Sequence, residues 1–192
     1  MSHIANPFVV ILDANVLYPF RSRDVLLTFA QLGLFRARIT DEIMDEWTRH
    51  LIANKPGIEA SVRRQIDAIK DAFEECFVVG YEPLIEGLAL PDLDDRHVLA
   101  AAIKCSAQVI VTENHKDFPA EVLEEHDLIT LSADDMLANT FDLFPIECAR
   151  ALRTVRKRYD TPPFTQSEFL LDLTKCGMPK LAAMARSSID YL

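Results

Sequence analysis

Four acidic residues in four separate segments, Asp13, Glu46, Asp95 and Asp117, stand where distant parts of one chain could bring carboxylates together. Asp13 closes the apolar run Phe8-Val9-Val10-Ile11-Leu12. Glu46 lies in a helical pattern, Asp95 opens another, and Asp117 follows a second apolar run. Carboxylates gathered this way repel one another unless a cation neutralises them, and hard ions such as Mg²⁺ or Mn²⁺ prefer donor sets made of oxygen. One or two such ions would activate water and stabilise the entering and leaving oxygens of a phosphodiester. The chain carries 30 Asp and Glu, so no single acid identifies the site; only their combined placement does.

The elements that must position these acids alternate between strand and helix. Residues 8–12 and 108–112 read as buried parallel strands, with shorter strands at 77–79 and 128–131. Helical periodicity covers 24–34, the stretch from the N-cap Thr40 to about Ala53, 58–75 and 95–105. Lys55-Pro56-Gly57 separates two of these helices. Ser132 with Asp135 starts a further helix in the manner of a capping box. This order implies an α/β fold, a central parallel sheet flanked by helices, with functional groups beyond the carboxyl ends of the strands. From residue 145 the pattern becomes all-helical: Pro145 starts one helix, Thr165-Gln166-Ser167-Glu168 caps a second that ends near Gly177, and residues 178–191 form a third. The division expected is residues 1–144 and a helical extension, 145–192.

Composition sets the outer bounds. At 192 residues and 49% hydrophobic, the chain has material for one ordinary domain with a small addition. No run is long enough to span a membrane and the N-terminus shows no leader pattern. Cys76, Cys105, Cys148 and Cys176 have no paired or metal-finger spacing and read as free, mostly buried thiols, consistent with a reducing cytoplasm. The net charge of −10 is unevenly spread: residues 1–144 carry 12 Lys and Arg against 25 Asp and Glu, residues 145–192 carry 8 against 5. Arg150, Arg153, Arg156 and Lys157 gather near one helix face, equally readable as a solvated surface or as phosphate contacts.

The motifs resemble those of PIN-domain ribonucleases. Leu12-Asp13-Ala14-Asn15-Val16-Leu17 is similar to that family's opening motif, and Thr40 to Glu46 to the segment supplying its helical Glu. Asp95-Arg96-His97-Val98-Leu99-Ala100-Ala101-Ala102 and Val111-Thr112-Glu113-Asn114-His115-Lys116-Asp117-Phe118 resemble the segments with the remaining acids. The likeness runs from residue 8 to about 140 and is nearest to VapC-like toxins of toxin–antitoxin pairs, in a longer variety with C-terminal helices. It implies a PIN-like fold and Mg²⁺- or Mn²⁺-dependent cleavage of RNA, often tRNA. It also implies a cognate antitoxin and usually a homodimer. By position, Asp13, Glu46, Asp95 and Asp117 become metal and catalytic residues, supported by Asn15, Thr112 and Asn114.

Other readings keep their place. A dehalogenase-like phosphatase would require an acid where Asn15 stands, and a receiver domain would require an acidic pair at the first strand. A catalytically silent PIN-like module binding RNA or protein is the alternative from another class. Asp92 and Asp94 read as loop carboxylates, Trp47 as core, His97 and His115 as surface or packing residues. Arg21 and Arg23 are candidates for meeting phosphate or the antitoxin.

Overall fold

The computed structural model describes residues 8–192; residues 1–7, on which the expectation about a leader falls, lie outside the described part. In chain order the elements begin with β1 (Val9–Leu12), α1 (Ala14–Leu17), α2 (Phe20–Gln31), β2 (Arg36–Arg38), α3 (Asp41–Asn54) and α4 (Glu59–Ala72). There follow α5 (Glu82–Ile85), α6 (Arg96–Lys104), β3 (Val109–Val111), α7 (Ala120–Glu124), β4 (Ile129–Leu131) and α8 (Ala133–Leu143). Helices α9 (Pro145–Lys157), α10 (Gln166–Lys175) and α11 (Pro179–Arg186) complete the all-helical extension. By its contacts the chain forms two compact units. One, the sheet unit, comprises Phe8–Tyr18 and Arg36–Thr130. The other, the helical unit, includes Pro19–Phe35 and Leu131–Leu192.

In the sheet unit the strand order is β2-β1-β3-β4, and β1 runs parallel to both of its neighbours. Val10, Ile11 and Leu12 have no solvent exposure, as expected for a central strand covered on both faces. The register sets Val10 opposite Val109 and Leu12 opposite Val111. Strands so matched end together, and the Asp13 N–H donates to the Val111 carbonyl at 3.1 Å. Asp13 and Thr112 therefore emerge side by side at the carboxyl edge. Helix α6 packs on β1 and β3; its Ala100, Ala101 and Ala102 are fully buried, and side chains this small allow close approach. Thr40 caps α3 by accepting the Ile43 N–H at 3.0 Å, as the sequence indicates.

Several local expectations need correction. Residues 77–79 do not form a strand: Phe77 makes one parallel bridge with Ile39, Val79 is exposed, and Gly80 at φ +72° turns the chain. The edge strand β2 has no strand-like pattern in the sequence, because Arg36 and Arg38 flank its one buried residue, Ala37. The helix read at 24–34 starts earlier, after Pro19. The helix read at 58–75 ends at Ala72 before a 3₁₀ turn, Glu74–Cys76. The last helix is interrupted, α11 giving way to a 3₁₀ turn at Ile189–Tyr191.

In the helical unit, α2 packs on α8 and α9, and α11 on α8 and α10. Phe29, Phe141, Leu152, Phe169 and Leu181 fill its interior. The capping box on α10 forms: Thr165 N–H donates to Glu168 Oε2 at 2.8 Å and Glu168 N–H to Thr165 Oγ1 at 3.3 Å. Of Arg21 and Arg23, read as phosphate or partner contacts, Arg23 is buried and Arg21 is only 12% exposed. Arg21 stacks 3.8 Å above the Tyr159 ring and pairs with Asp172 at 2.6 Å. All four cysteines are free, but only Cys148 is fully buried and Cys176 is exposed. Among the described residues no helix is long and apolar enough to cross a membrane.

Candidate functional site

The carboxyl ends of β1 and β3 are tied by a dense hydrogen-bonded knot. Asp13 Oδ1 accepts the Ala14 N–H at 2.6 Å. Its Oδ2 accepts Asn15 Nδ2 at 2.6 Å and the Thr112 hydroxyl at 2.7 Å. Thr112 Oγ1 in turn accepts from Asn15 Nδ2 at 2.8 Å and from the Asn114 N–H at 3.0 Å. One donor and two acceptor positions exhaust a hydroxyl, so Thr112 has no rotational freedom left. Asn15 Oδ1 closes the knot by accepting the Glu113 N–H at 3.0 Å. Burial raises the Asp13 pKa, against the Thr112 and Ala14 hydrogen bonds that favour its charged form; Glu46 raises it further and His97 lowers it.

A second group of acids lies beside the first. Oxygens of Asp92, Asp95 and Asp117 come within 4.8 Å of one another. Asn114 Nδ2 donates to Asp117 at 2.5 Å and, weakly, to Asp95 at 3.4 Å, which links this group to Thr112 through the Asn114 backbone. Asp95 precedes the first turn of α6. Burial pushes its pKa up to about 6, followed by repulsion from Asp13, Asp92, Asp117 and Glu46. Asp94 stays outside the group, its N–H donating to Asp92 Oδ1 at 2.9 Å.

Glu46 reaches the cluster from α3. A cleft of about 490 Å³ is lined by Asp13, Asn15, Glu46, Asp95 and Asn114, with Tyr18, Trp47, His50 and Asn54 along the rest of its wall. His97 is 6% exposed, its Nε2 3.6 Å from Glu46 and its Nδ1 3.7 Å from Glu42. Burial disfavours its charge, yet contact with Glu46 and the charges of Glu42 and Asp13 raise its pKa on balance. Trp47 is fully buried, its indole N–H turned to Met44 Sδ, so it is core.

The sequence-predicted acids Asp13, Glu46, Asp95 and Asp117 thus share one region with Asn15, Thr112 and Asn114. Sequence reasoning missed Asp92 as a neighbour of Asp95; their three-residue spacing just before α6 was the available signal. Arg150, Arg153, Arg156 and Lys157 belong to α9 in the helical unit. There Arg150, Arg153 and Lys157 are exposed, whereas Arg156 turns inward and donates to the Phe164 and Leu192 carbonyls. The donors of the cluster are all carboxylate oxygens, mutually repelling and closely spaced. That set fits a hard divalent cation and would fit a soft one poorly.

A family model described as PIN domain matches residues 9–116, and one described as VapC50 C-terminal domain matches residues 133–187. The Mycobacterium tuberculosis protein named "Putative ribonuclease VapC50" is 38% identical over 110 residues, covering 57% of this chain and 64% of that protein. The chain therefore spans less than two thirds of that curated relative. No solved structure matches it.

Proposed function

The chain belongs to the PIN-domain family, and from that membership we propose that it is a metal-dependent endoribonuclease, the toxin of a toxin–antitoxin pair. The observation that carries this reading is the group of Asp92, Asp95 and Asp117 oxygens within 4.8 Å, beside a cleft that Asp13 and Glu46 also line. Five like-charged groups at one sheet edge are costly for an empty protein. Asp13, Glu46, Asp95 and Asp117 would hold Mg²⁺ or Mn²⁺, which when bound lowers the pKa of a water and neutralises phosphate charge. The residues of the chain do the rest. Thr112 and Asn15 fix Oδ2 of Asp13 and the Ala14 N–H fixes Oδ1, and Asn114 fixes Asp117. Glu46, only 34% exposed, lines the same cleft, able to accept a proton from water entering it.

The substrate class in this proposal is RNA, tRNA included, and the partners are a cognate antitoxin and a second copy of the chain. The name of the M. tuberculosis relative and the C-terminal family match support the toxin assignment. Residues 1–144 are proposed as the catalytic part and 145–192 as an addition, whose exposed Arg150, Arg153 and Lys157 suit phosphate contact better than the engaged Arg156 does. The test is cleavage of total cellular RNA by purified, antitoxin-free protein with Mg²⁺, Mn²⁺ or EDTA, beside Asp13→Asn. Metal-dependent cleavage lost in the variant is the expected result. No cleavage across a broad RNA pool would leave a silent binding module.

A further inference from the structure

His97 is among the least ordinary residues of the sheet unit. Its imidazole is 6% exposed. Its Nδ1 is buried without a hydrogen-bond partner among the described residues. Each nitrogen instead faces a carboxylate, Nε2 toward Glu46 at 3.6 Å and Nδ1 toward Glu42 at 3.7 Å. The same Glu42 oxygen, Oε2, also accepts from the Tyr81 hydroxyl at 3.2 Å. A chain of contacts, Tyr81–Glu42–His97–Glu46, therefore joins α6, which follows Asp95 directly, to α3, which carries Glu46. A buried imidazole used only for packing would be expected to satisfy a nitrogen on a backbone group or on water. This one is aimed at two acids four residues apart on the same helix face.

We propose that His97 is a positioning residue for Glu46: bridging Glu46 and Glu42, it sets the Glu46 carboxylate against Asp95 and Asp13 so that the four acids can act on one cation. The inference rests on the metal-site reading above. It assigns His97 no contact with RNA and no bond to the ion. Because α6 bears both His97 and the approach to Asp95, the imidazole fixes the spacing between two acids that the sequence holds 49 positions apart. Groups that orient metal ligands in this way typically change metal affinity about 10–100-fold when removed.

The two ring nitrogens allow a test that packing alone would not register. The amide nitrogen of Gln reaches about as far as imidazole Nε2, and that of Asn about as far as Nδ1. His97→Gln therefore keeps a donor toward Glu46 and loses the one toward Glu42, and His97→Asn does the reverse. Mn²⁺ is titrated calorimetrically into full-length wild type and both variants, with thermal unfolding measured beside it. The expected result is a loss in Mn²⁺ affinity of about tenfold or more in His97→Asn and a much smaller loss in His97→Gln. Should His97→Asn fail to fold, Glu42→Ala at an exposed position carries the test, with a loss smaller than tenfold but measurable. Equal affinity in wild type and variants, or equal losses in Gln and Asn that track unfolding temperature, would overturn the positioning role alone. A wild type that binds no Mn²⁺ would overturn the metal reading and this inference with it.

Discussion

Carboxylates of the helical unit and those gathered at the cleft of the sheet unit live under opposite rules, although elsewhere in the sheet unit Asp41 pairs with Lys70 at 2.6 Å. In the helical unit each engaged acid has its own counter-group. Asp24 takes Arg158 at 2.5 Å and the Tyr159 hydroxyl at 2.7 Å, and Asp172 takes Arg21. Asp134, buried on α8, accepts the Lys180 and Leu181 backbone N–H groups at 2.9 and 2.8 Å, so it caps α11, where no local side chain does. In the sheet unit Asp13, Asp92, Asp95 and Asp117 face mainly one another and neutral amides. Asp117 has the Lys116 ammonium at 3.8 Å, but that side chain is 83% exposed. Acids that stabilise arrive paired; the acids of the proposed metal site are kept in each other's company at a cost to stability.

The sharpest way to break this contrast is to neutralise one acid from each unit. Asp95→Asn should lower RNA cleavage about a thousandfold, several kcal/mol of lost stabilisation at the reacting centre, while leaving metal-free thermal stability unchanged or higher. Asp134→Ala should do the opposite. It strips two backbone N–H groups of a charged acceptor and should cost about 3 kcal/mol of stability, with cleavage by the folded fraction retained. Denaturant unfolding and cleavage assays on both variants decide it. If Asp95→Asn proves as destabilising as Asp134→Ala, the sheet-unit acids are structural too.

A smaller effect should appear in the pH dependence of the metal-free protein. The folded pKa of Asp95, about 6, lies above its ordinary value of 3.8. The folded state therefore holds an extra proton between those values, and the stability from this group is present below pH 3.8 and declines as pH rises through about 6. Asp13 is shifted in the same direction. Asp95 is partly exposed, and solvent screening reduces its contribution to about 1–2 kcal/mol. Melting curves from pH 4 to 7.5 should show this decline, Mn²⁺ should reverse it, and Asp95→Asn should flatten it. A wild-type curve that rises through pH 6 would contradict the repulsion.

The same contrast explains what the sequence made legible. Asp13, Asp95, Asp117 and Glu46 could be read because each sits at a fixed offset from an apolar run or helix start, and the parallel register of Val10 to Leu12 with Val109 to Val111 does the rest. The caps at Thr40, Ser132 and Thr165 were readable for the same local reason. Contacts between distant segments were not. Nothing in the spacing of Asp134 shows that it caps a helix 45 residues later, and nothing near Arg21 shows Tyr159 waiting above it. The charges of β2 hid its one buried residue, and His97 reads as packing until α3 is laid beside it.

The smallest effect concerns three basic residues and a fourth that resembles them only in sequence. Arg150, Arg153 and Lys157 lie on the exposed face of α9, and surface changes of this kind usually alter stability by less than about 0.5 kcal/mol. Arg156, one position from Lys157, donates instead to the Phe164 and Leu192 carbonyls. Arg153→Ala with Lys157→Ala should therefore leave the unfolding temperature in place. The double variant should reduce the salt dependence of RNA affinity by about 0.7 in the log–log slope for each phosphate no longer neutralised. Arg156→Ala should lower the unfolding temperature and leave that slope alone, because its charge is spent on the fold. A slope that moves only with Arg156→Ala would reverse the assignment: the inward arginine would then be the one that meets phosphate, and the exposed stripe would be solvated surface.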